Sequence, residues 1–304
     1  MYYVNSIIEI AGRYGFEVKR NESMSRHTTF KIGGNADVFI TVNNIEGLID
    51  ILQRCRENEV PVFILGKGSN LLVSDNGIEG IVIRLDGDFN KIKMLDDETV
   101  YCASGVSLAK LCSYAADKGL SGLEFAWGIP GSVGGAVYMN AGAYGKEMKD
   151  VVASSSYIDK DGKTGSFGIS QMDMSYRHSI YTENGYVITG ASFRLHRDSP
   201  VEIRNRMDEI MQKRRDKQPI DFPSAGSVFK RPEGYFAGTL IQEAGLKGKS
   251  VGGAQVSEKH AGFIINKGEA TCKDVMKLIK LVQKTVNEHS GIELECEVKP
   301  IGKF

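Results

Sequence analysis

The chain has 304 residues, with 38 Lys plus Arg balanced by 38 Asp plus Glu, and it is 41% hydrophobic and 25% charged. Such a length divides into two or three domains, and the composition is that of an ordinary globular protein. A formal net charge of zero gives no support to non-specific nucleic-acid or membrane binding.

Residues 1–25 read as a short helix and a linker. "HTTFKIGGNADVFITV" alternates as strands around a Gly33-Gly34 turn. Asn43 with Glu46 has capping-box spacing, and Ile45, Leu48, Ile49, Leu52 and Cys55 then share one helical face. "VPVFIL" (60–65) reads as a buried strand, followed by strands at "GIVIRL" (80–85) and "TVYCASG" (99–105). Ser107 opens a helix through Lys118 that Gly119 stops. "SSSYIDKDGKTGSF" is a hairpin turning at Asp161-Gly162, and "GYVITGASFRL" (185–195) another strand. "SPVE" from Ser199 joins a capping residue, a proline at the first helical position and a glutamate at the third, so a helix runs from there to about Lys217. Beyond it come a loop at "DFPSAGSVFKRPEG", a short helix ending at Gly245, a strand at "AGFIIN", and a long helix from Thr271 to about His289. The last strand is "IELECEVKPIG", with Ile292, Leu294, Cys296 and Val298 alternating with Glu293, Glu295, Glu297 and Lys299.

The 35 glycines cluster, which points to backbone that must approach something closely. "GKGSN" (66–70) follows the 60–65 strand. Lys67 lies between the glycines, so the loop is no Walker A motif. Leu71 stands where a Rossmann fingerprint has its third glycine. What remains is either a plain strand–loop turn or an anion nest of consecutive N–H groups, to which Ser69 and Asn70 add donors. "GIPGSVGGA", around Ser132, is a second such loop. Close helix–sheet packing explains it alone, but two loops in one αβ unit favour a nucleotide cofactor with a pyrophosphate. The five cysteines have neither C-x-x-C nor metal spacing, so buried thiols in a reducing cytoplasm and no metal are expected. The N-terminus lacks a signal-peptide pattern, and no apolar run is long enough to span a membrane.

"GKGSN", "GIPGSVGGAVYMNAGAYG", "YRHS", "PSAGSVFKRP" and "ECEVKPIG" occur in that order. Through them the chain, from about His27 to Gly302, resembles the UDP-N-acetylenolpyruvoylglucosamine reductase (UDP-N-acetylmuramate dehydrogenase) family. The resemblance implies an α+β fold: a two-subdomain FAD-binding unit of the vanillyl-alcohol-oxidase (PCMH) type, then an α+β substrate domain. The implied organisation is an N-terminal helix and linker over 1–26, the FAD-binding domain over 27–198 (subdomains about 27–75 and 76–198), and the substrate domain over 199–304. Non-covalent FAD is implied to lie on Gly66, Lys67, Gly68, Ser69, Asn70, Gly131, Ser132, Gly134, Gly135, Ala136 and Ile188. The implied co-substrate is NADPH, the implied location the cytoplasm and the expected state a monomer, with no nucleic-acid or membrane partner.

The implied reaction reduces an enolpyruvyl ether. Hydride passes from NADPH to FAD and on to C3 of the substrate, and a proton must reach C2. Such a site needs cations or donors at the substrate carboxylate and a proton donor beside C2. The resemblance assigns Arg177 to the carboxylate, Ser227 to proton donation, and Glu297 to support of the arginine or the proton-delivery network. Read alone, the three suggest a surface arginine, a loop-capping serine and a solvated strand face. Tyr176, Lys230 and Lys299 are candidates for the substrate's phosphates or carboxylate. Arg214 is another, although a charged helix end is the plainer reading. Some family members carry an inserted tyrosine-bearing loop, and no segment of matching length lies between Tyr176 and Ser199, so the chain resembles the shorter subtype. A sugar or lactone oxidase of the same flavin fold, and a nucleotide-binding module without turnover, are the alternatives.

Overall fold

The computed structural model describes residues 2–304. The chain forms two compact units, each discontinuous in sequence: Met1–Arg20, Val38–Lys67 and Gly80–Gln212 make the first, and Asn21–Asp37, Gly68–Glu79 and Lys213–Phe304 the second. One of the crossings between them falls inside the "GKGSN" loop, after Lys67.

The first unit carries a four-stranded sheet in the order Glu17–Ser23, Asn35–Val42, Ile78–Leu85, Val62–Leu65, the last two parallel. Helices Tyr2–Arg13 and Ile45–Glu57 bury Ile7, Ile10, Ala11, Leu48, Ile51 and Cys55 with Val38, Ile40, Ile81 and Ile83 of that sheet. Its second sheet has five antiparallel strands, in the order Thr164–Gly168, Val152–Ile158, Val187–Arg194, Thr99–Ala103, Ile92–Met94. Helix Leu108–Asp117 starts at Ser107, whose hydroxyl accepts from Lys110 N–H, and Gly119 follows it at φ +66°.

In the second unit, the strands Ser224–Ser227, Phe263–Asn266, Ala254–Val256 and Ser250–Val251 form an antiparallel sheet. Helix Cys272–Ser290 buries Val275, Leu278, Ile279, Val282 and Val286 in the same core as Ile264 and Val256. Thr271 and Asp274 form a capping box at its start, and Asp75 accepts from Cys272 N–H (2.7 Å) and Lys273 N–H (3.0 Å). Strand Lys299–Ile301 pairs in parallel with Leu71–Val73.

Several expectations need correcting. The 1–25 linker contains strand Glu17–Ser23, whose polar sequence carries no alternation and which exists because the Asn35–Val42 strand supplies a partner. Before that strand, residues 27–34 are irregular; Lys31 and Gly33 take φ of +56° and +135°, while Phe30 and Ile32 turn into the core. Asn44, not Asn43, caps the Ile45–Glu57 helix: it is the extended residue just before the first turn, and its side chain accepts from Gly47 N–H (2.8 Å). Strand Val62–Leu65 is half-buried, lying at the sheet edge. The stretch "DFPSAGSVFKRPEG", expected as a loop, contains strand Ser224–Ser227. Residues 292–295 keep the alternating burial, but Cys296 and Glu297 are both half-buried and the segment is not a continuous strand: Cys296 makes an isolated bridge to Phe229, and regular pairing begins at Lys299.

Candidate functional site

In the first unit the two glycine loops meet. A Cβ on Gly66 would lie 2.7 Å from the Ser132 hydroxyl, so only glycine lets the chain leave its strand this close to the second loop. Ser132 is buried and its Oγ accepts from Gly135 N–H (3.3 Å). Backbone bonds pin the loop: Leu108 N–H to Gly131 O (2.9 Å), Val133 N–H to Val106 O (2.8 Å), Gly134 N–H to Ser104 O (2.9 Å). Gly134 is wedged on Ser104, where a Cβ would come 2.9 Å from Ser104 Cβ. Gly135 is exposed, and a Cβ there would meet nothing nearer than 3.4 Å.

Beside this loop the Ser104 hydroxyl is buried with no hydrogen-bond partner, one of two such side-chain atoms among the described residues. An orphaned buried hydroxyl calls for a partner from outside the chain. Together with the open face at Gly135, it fits a polar, phosphate-bearing cofactor. Ala136 and Ile188 turn their side chains into the hydrophobic core, the Ala136 N–H and carbonyl are bonded to Ser132 O and Ala141 N–H, and Ile188 pairs with Tyr157 in the sheet. Phe125 is likewise core, and Trp127 packs against it. Neither Ser104 nor its missing partner was legible in "TVYCASG", where it reads as a strand end.

The second part of the first loop belongs to the other unit. Gly68 is buried at φ +62°, its carbonyl accepts from Thr29 N–H (3.2 Å), and a Cβ would lie 2.2 Å from His27 O. Its need for glycine is thus set by the chain's own packing. Asn70 donates from Nδ2 to Glu297 O (3.1 Å) and accepts at its carbonyl from Lys299 N–H (2.9 Å), so this loop also anchors the Glu297 segment. Lys67 is exposed and Ser69 half-buried.

Arg177 sits at the tip of a tight turn closed by Ser175 N–H to His178 O (3.2 Å) and His178 N–H to Ser175 O (3.1 Å). Its φ is +57°, a left-handed conformation that costs a non-glycine residue roughly 1–2 kcal/mol. Strain of this kind concentrates at functional positions. The guanidinium stacks 4.8 Å from the exposed Tyr176 ring, an arrangement that orients its planar fork.

Ser227 ends its strand opposite Phe263, just after Gly226 at φ +77° and a register shift. Val228 O accepts from Glu297 N–H (2.7 Å) and Val298 N–H (3.3 Å). The next residue after Ser227 therefore holds the half-buried Glu297 on the neighbouring segment, although 70 positions separate serine and glutamate in sequence. Lys230 donates through its backbone to Glu295 O (2.8 Å) and its ammonium forms an ion pair with the Glu295 carboxylate. Lys299 is exposed. Arg214 lies in the last turn of helix Pro200–Lys217. The second unit thus gathers Ser227, Glu297, Lys230, Lys299 and Asn70, and the first holds Arg177 with Tyr176. Burial pushes the thiols of Cys55, Cys102 and Cys112 up to about 12, so these three are not thiolate nucleophiles near neutral pH.

Residues 36–168 match the family model of an FAD binding domain, and residues 218–301 that of the UDP-N-acetylenolpyruvoylglucosamine reductase C-terminal domain. The chain is 48% identical over 289 residues to the UDP-N-acetylenolpyruvoylglucosamine reductase of Clostridium novyi, covering 94% of this chain and 93% of that one. With the enzyme of the same name from Syntrophomonas wolfei the identity is 49% over 286 residues, covering 94% and 95%. The crystal structure of the Thermus caldophilus reductase superposes with a TM-score of 0.80 at 37% identity, over 94% of this chain and 98% of that one. The fold is accordingly a PCMH-type FAD-binding domain followed by the reductase C-terminal domain. This chain belongs to the UDP-N-acetylenolpyruvoylglucosamine reductase family, the FAD-dependent UDP-N-acetylmuramate dehydrogenases of peptidoglycan precursor synthesis.

Proposed function

We propose that the protein works in the cytoplasm with NADPH, as the shorter subtype of its family, and that Ser227, Arg177 and Glu297 carry the substrate half of the reaction. The observation that carries this reading is the Val228 carbonyl, which fixes Glu297 against the residue next to Ser227. The shorter subtype is supported by the segment after Tyr176: its turn, helix Tyr181–Asn184 and strand Val187–Arg194 use up the chain before Ser199. In functional terms the cofactor part spans 27–198, after the 1–26 segment, and the substrate part 199–304.

Gly66–Asn70, Gly131, Ser132, Gly134, Gly135, Ala136 and Ile188 would hold FAD, which, with NADPH as reductant, would supply the hydride chemistry at C3 of the enolpyruvyl group. Hydride addition at C3 leaves charge on C2 and the adjacent carboxylate. Arg177 holds that carboxylate with two parallel hydrogen bonds and remains charged throughout. Ser227 delivers its hydroxyl proton to C2. A serine is a weak acid, but a carbanionic enolate is a strong base, so position matters more than acidity. Glu297 keeps the network around serine polar and hydrogen-bonded. Tyr176, Lys230, Lys299 and Arg214 are the groups assigned to the remaining phosphate and carboxylate oxygens of the substrate.

Anaerobic titration tests the reading. NADPH should bleach the flavin absorbance, and the enolpyruvyl ether of UDP-N-acetylglucosamine should restore it. Bleaching by a sugar alcohol or lactone, with no response to NADPH, would make the protein an oxidase of the same fold instead.

The cofactor assignment makes its own prediction at Gly135. A Cβ there meets no side chain or neighbouring loop closer than 3.4 Å and the position is exposed, so Gly135→Val should melt close to the parent while emerging largely colourless, because the new methyls occupy the face proposed for the pyrophosphate. Gly68→Val is the poorer test, since its Cβ strikes His27 O and the fold itself suffers. Full flavin occupancy in Gly135→Val would remove the second glycine loop from the cofactor site.

A further inference from the structure

Asn140, in "MNAGAYG", has no part in the chemistry described so far. It is fully buried and takes φ +45°. Its side chain makes three hydrogen bonds, using both amide protons and the oxygen. Nδ2 donates to Ser175 O (2.8 Å) and to Glu147 Oε2 (3.0 Å), while Oδ1 accepts from Lys149 N–H (2.9 Å).

These bonds join two segments far apart in sequence. After Asn140 the chain forms the hairpin Gly142–Ala143 and Lys146–Glu147, turning through Tyr144 and Gly145 at φ +54° and +82°. Positive φ at both central positions is the geometry of a tight two-residue hairpin turn. The hairpin returns Glu147 to Asn140, and Met148 N–H closes it on Ala141 O (2.9 Å). On the other side, Ser175 O is the acceptor that closes the Arg177 turn through His178 N–H. Asn140 therefore grips the turn at the carbonyl that defines it. A second tie lies nearby, where Ser179 Oγ donates to Tyr138 O (2.7 Å).

We propose that Asn140 is a positioning residue: it holds the strained Arg177 turn in the orientation that presents the guanidinium to the substrate carboxylate. The assignment rests on the reading of Arg177 given above. Three features carry it. An amide is the side chain that offers two donors and an acceptor from one planar group. Asparagine tolerates the left-handed backbone better than most residues. And Arg177, itself left-handed, lacks the conformational preference to hold its turn unaided. Glu147 completes the arrangement, since its Oε2 takes the second amide proton and is paired with Lys149 Nζ (2.9 Å).

The decisive variant is Asn140→Gly, which keeps the left-handed backbone free of strain and removes only the amide. Two readouts are needed. The first is kinetic. Displacement of a positioned group by about 1 Å can cost about 10²-fold, and kcat/KM for the enolpyruvyl substrate should fall by about that factor, mainly through KM. Bleaching by NADPH should stay at the parent rate. The second is tryptic cleavage after Arg177, which needs local opening of the turn and should become faster relative to cleavage within helix Pro200–Lys217. Asn140→Asp, which replaces the two donors by a carboxylate facing Glu147, should behave alike, and adding Glu147→Gln should restore part of the loss by supplying a donor to the new acceptor. Unchanged substrate kinetics and unchanged cleavage in Asn140→Gly would overturn the proposal, as would equal loss in both half-reactions. Arg177→Ala separates the two claims. If it turns over normally, the reading of Arg177 fails and takes the proposal with it. If Arg177→Ala is impaired while Asn140→Gly is not, only the Asn140 assignment fails.

Discussion

Ser227→Ala should keep its flavin, bleach with NADPH at the parent rate, and be reoxidised by the enolpyruvyl substrate about 10²–10⁴-fold more slowly, the usual worth of a general acid. The loss should reach the upper end of that range if water is excluded from C2, because the carbanion then has no other donor. The variant is a clean one. Ser227 is held by its backbone, through pairing with Phe263 and the contacts of Val228 with Gly262 and Glu297. Its hydroxyl has no hydrogen-bond partner among the described residues, so replacing it by a methyl group should move the unfolding free energy by no more than about 0.5 kcal/mol. Stopped-flow absorbance separates the two half-reactions directly. Ser227→Cys keeps a transferable proton in similar space and should recover part of the rate. Equal slowness of the Ala and Cys variants would make the hydroxyl a positioning group. A fast Ser227→Ala would pass the proton-donor role to another residue, with Glu297 the next to be tested.

Arg177→Ala should also bleach normally with NADPH and fail in the substrate half-reaction. A hydrogen bond to a charged group is worth about 1.5–3 kcal/mol, so losing a two-pronged grip on the carboxylate should cost about 10²-fold or more in kcat/KM. Lysine is the informative intermediate. It keeps the charge but loses both the planar fork and the stacking on Tyr176, 4.8 Å away, and it should recover only a minor part of the activity. Neither variant relieves the φ of +57° at this position, so a difference between them reports on the head group rather than on the turn. Normal turnover in Arg177→Ala would take Arg177 out of the site.

Glu297 shows how far the sequence reaches. The alternation separates a polar from a buried face at Leu294 and Val298, which are buried, and at Glu293 and Glu295, which are exposed, but not at Cys296 and Glu297, which are both half-buried. The backbone conformation is another matter. Residues 292–298 do not form the continuous strand that the pattern suggests, because a strand needs a partner, and the partners here are short. Phe229 meets only Cys296, and Leu71–Val73 meets only Lys299–Ile301.

Local features needed nothing beyond the sequence. The Ser107 cap, the hairpin around Gly162 and the start of the long helix at Thr271 follow from a side chain reaching a backbone group three residues away or from a turn needing positive φ. The family motifs were equally readable, since they are strings of residue types in a fixed order. Tertiary structure alone decided the rest. Only folding makes Glu17–Ser23 a strand, sets Ser132 against Gly66, leaves the Ser104 hydroxyl without a partner, and runs a bond from Asn70 to the Glu297 carbonyl 227 positions on. It also sends the Asn140 amide to the Arg177 turn. The physical reason is common to all of these. Capping and turn preferences are energies of a few neighbouring residues, whereas a donor's distant partner depends on which surfaces pack, and that is settled by burying the whole chain's apolar groups at once.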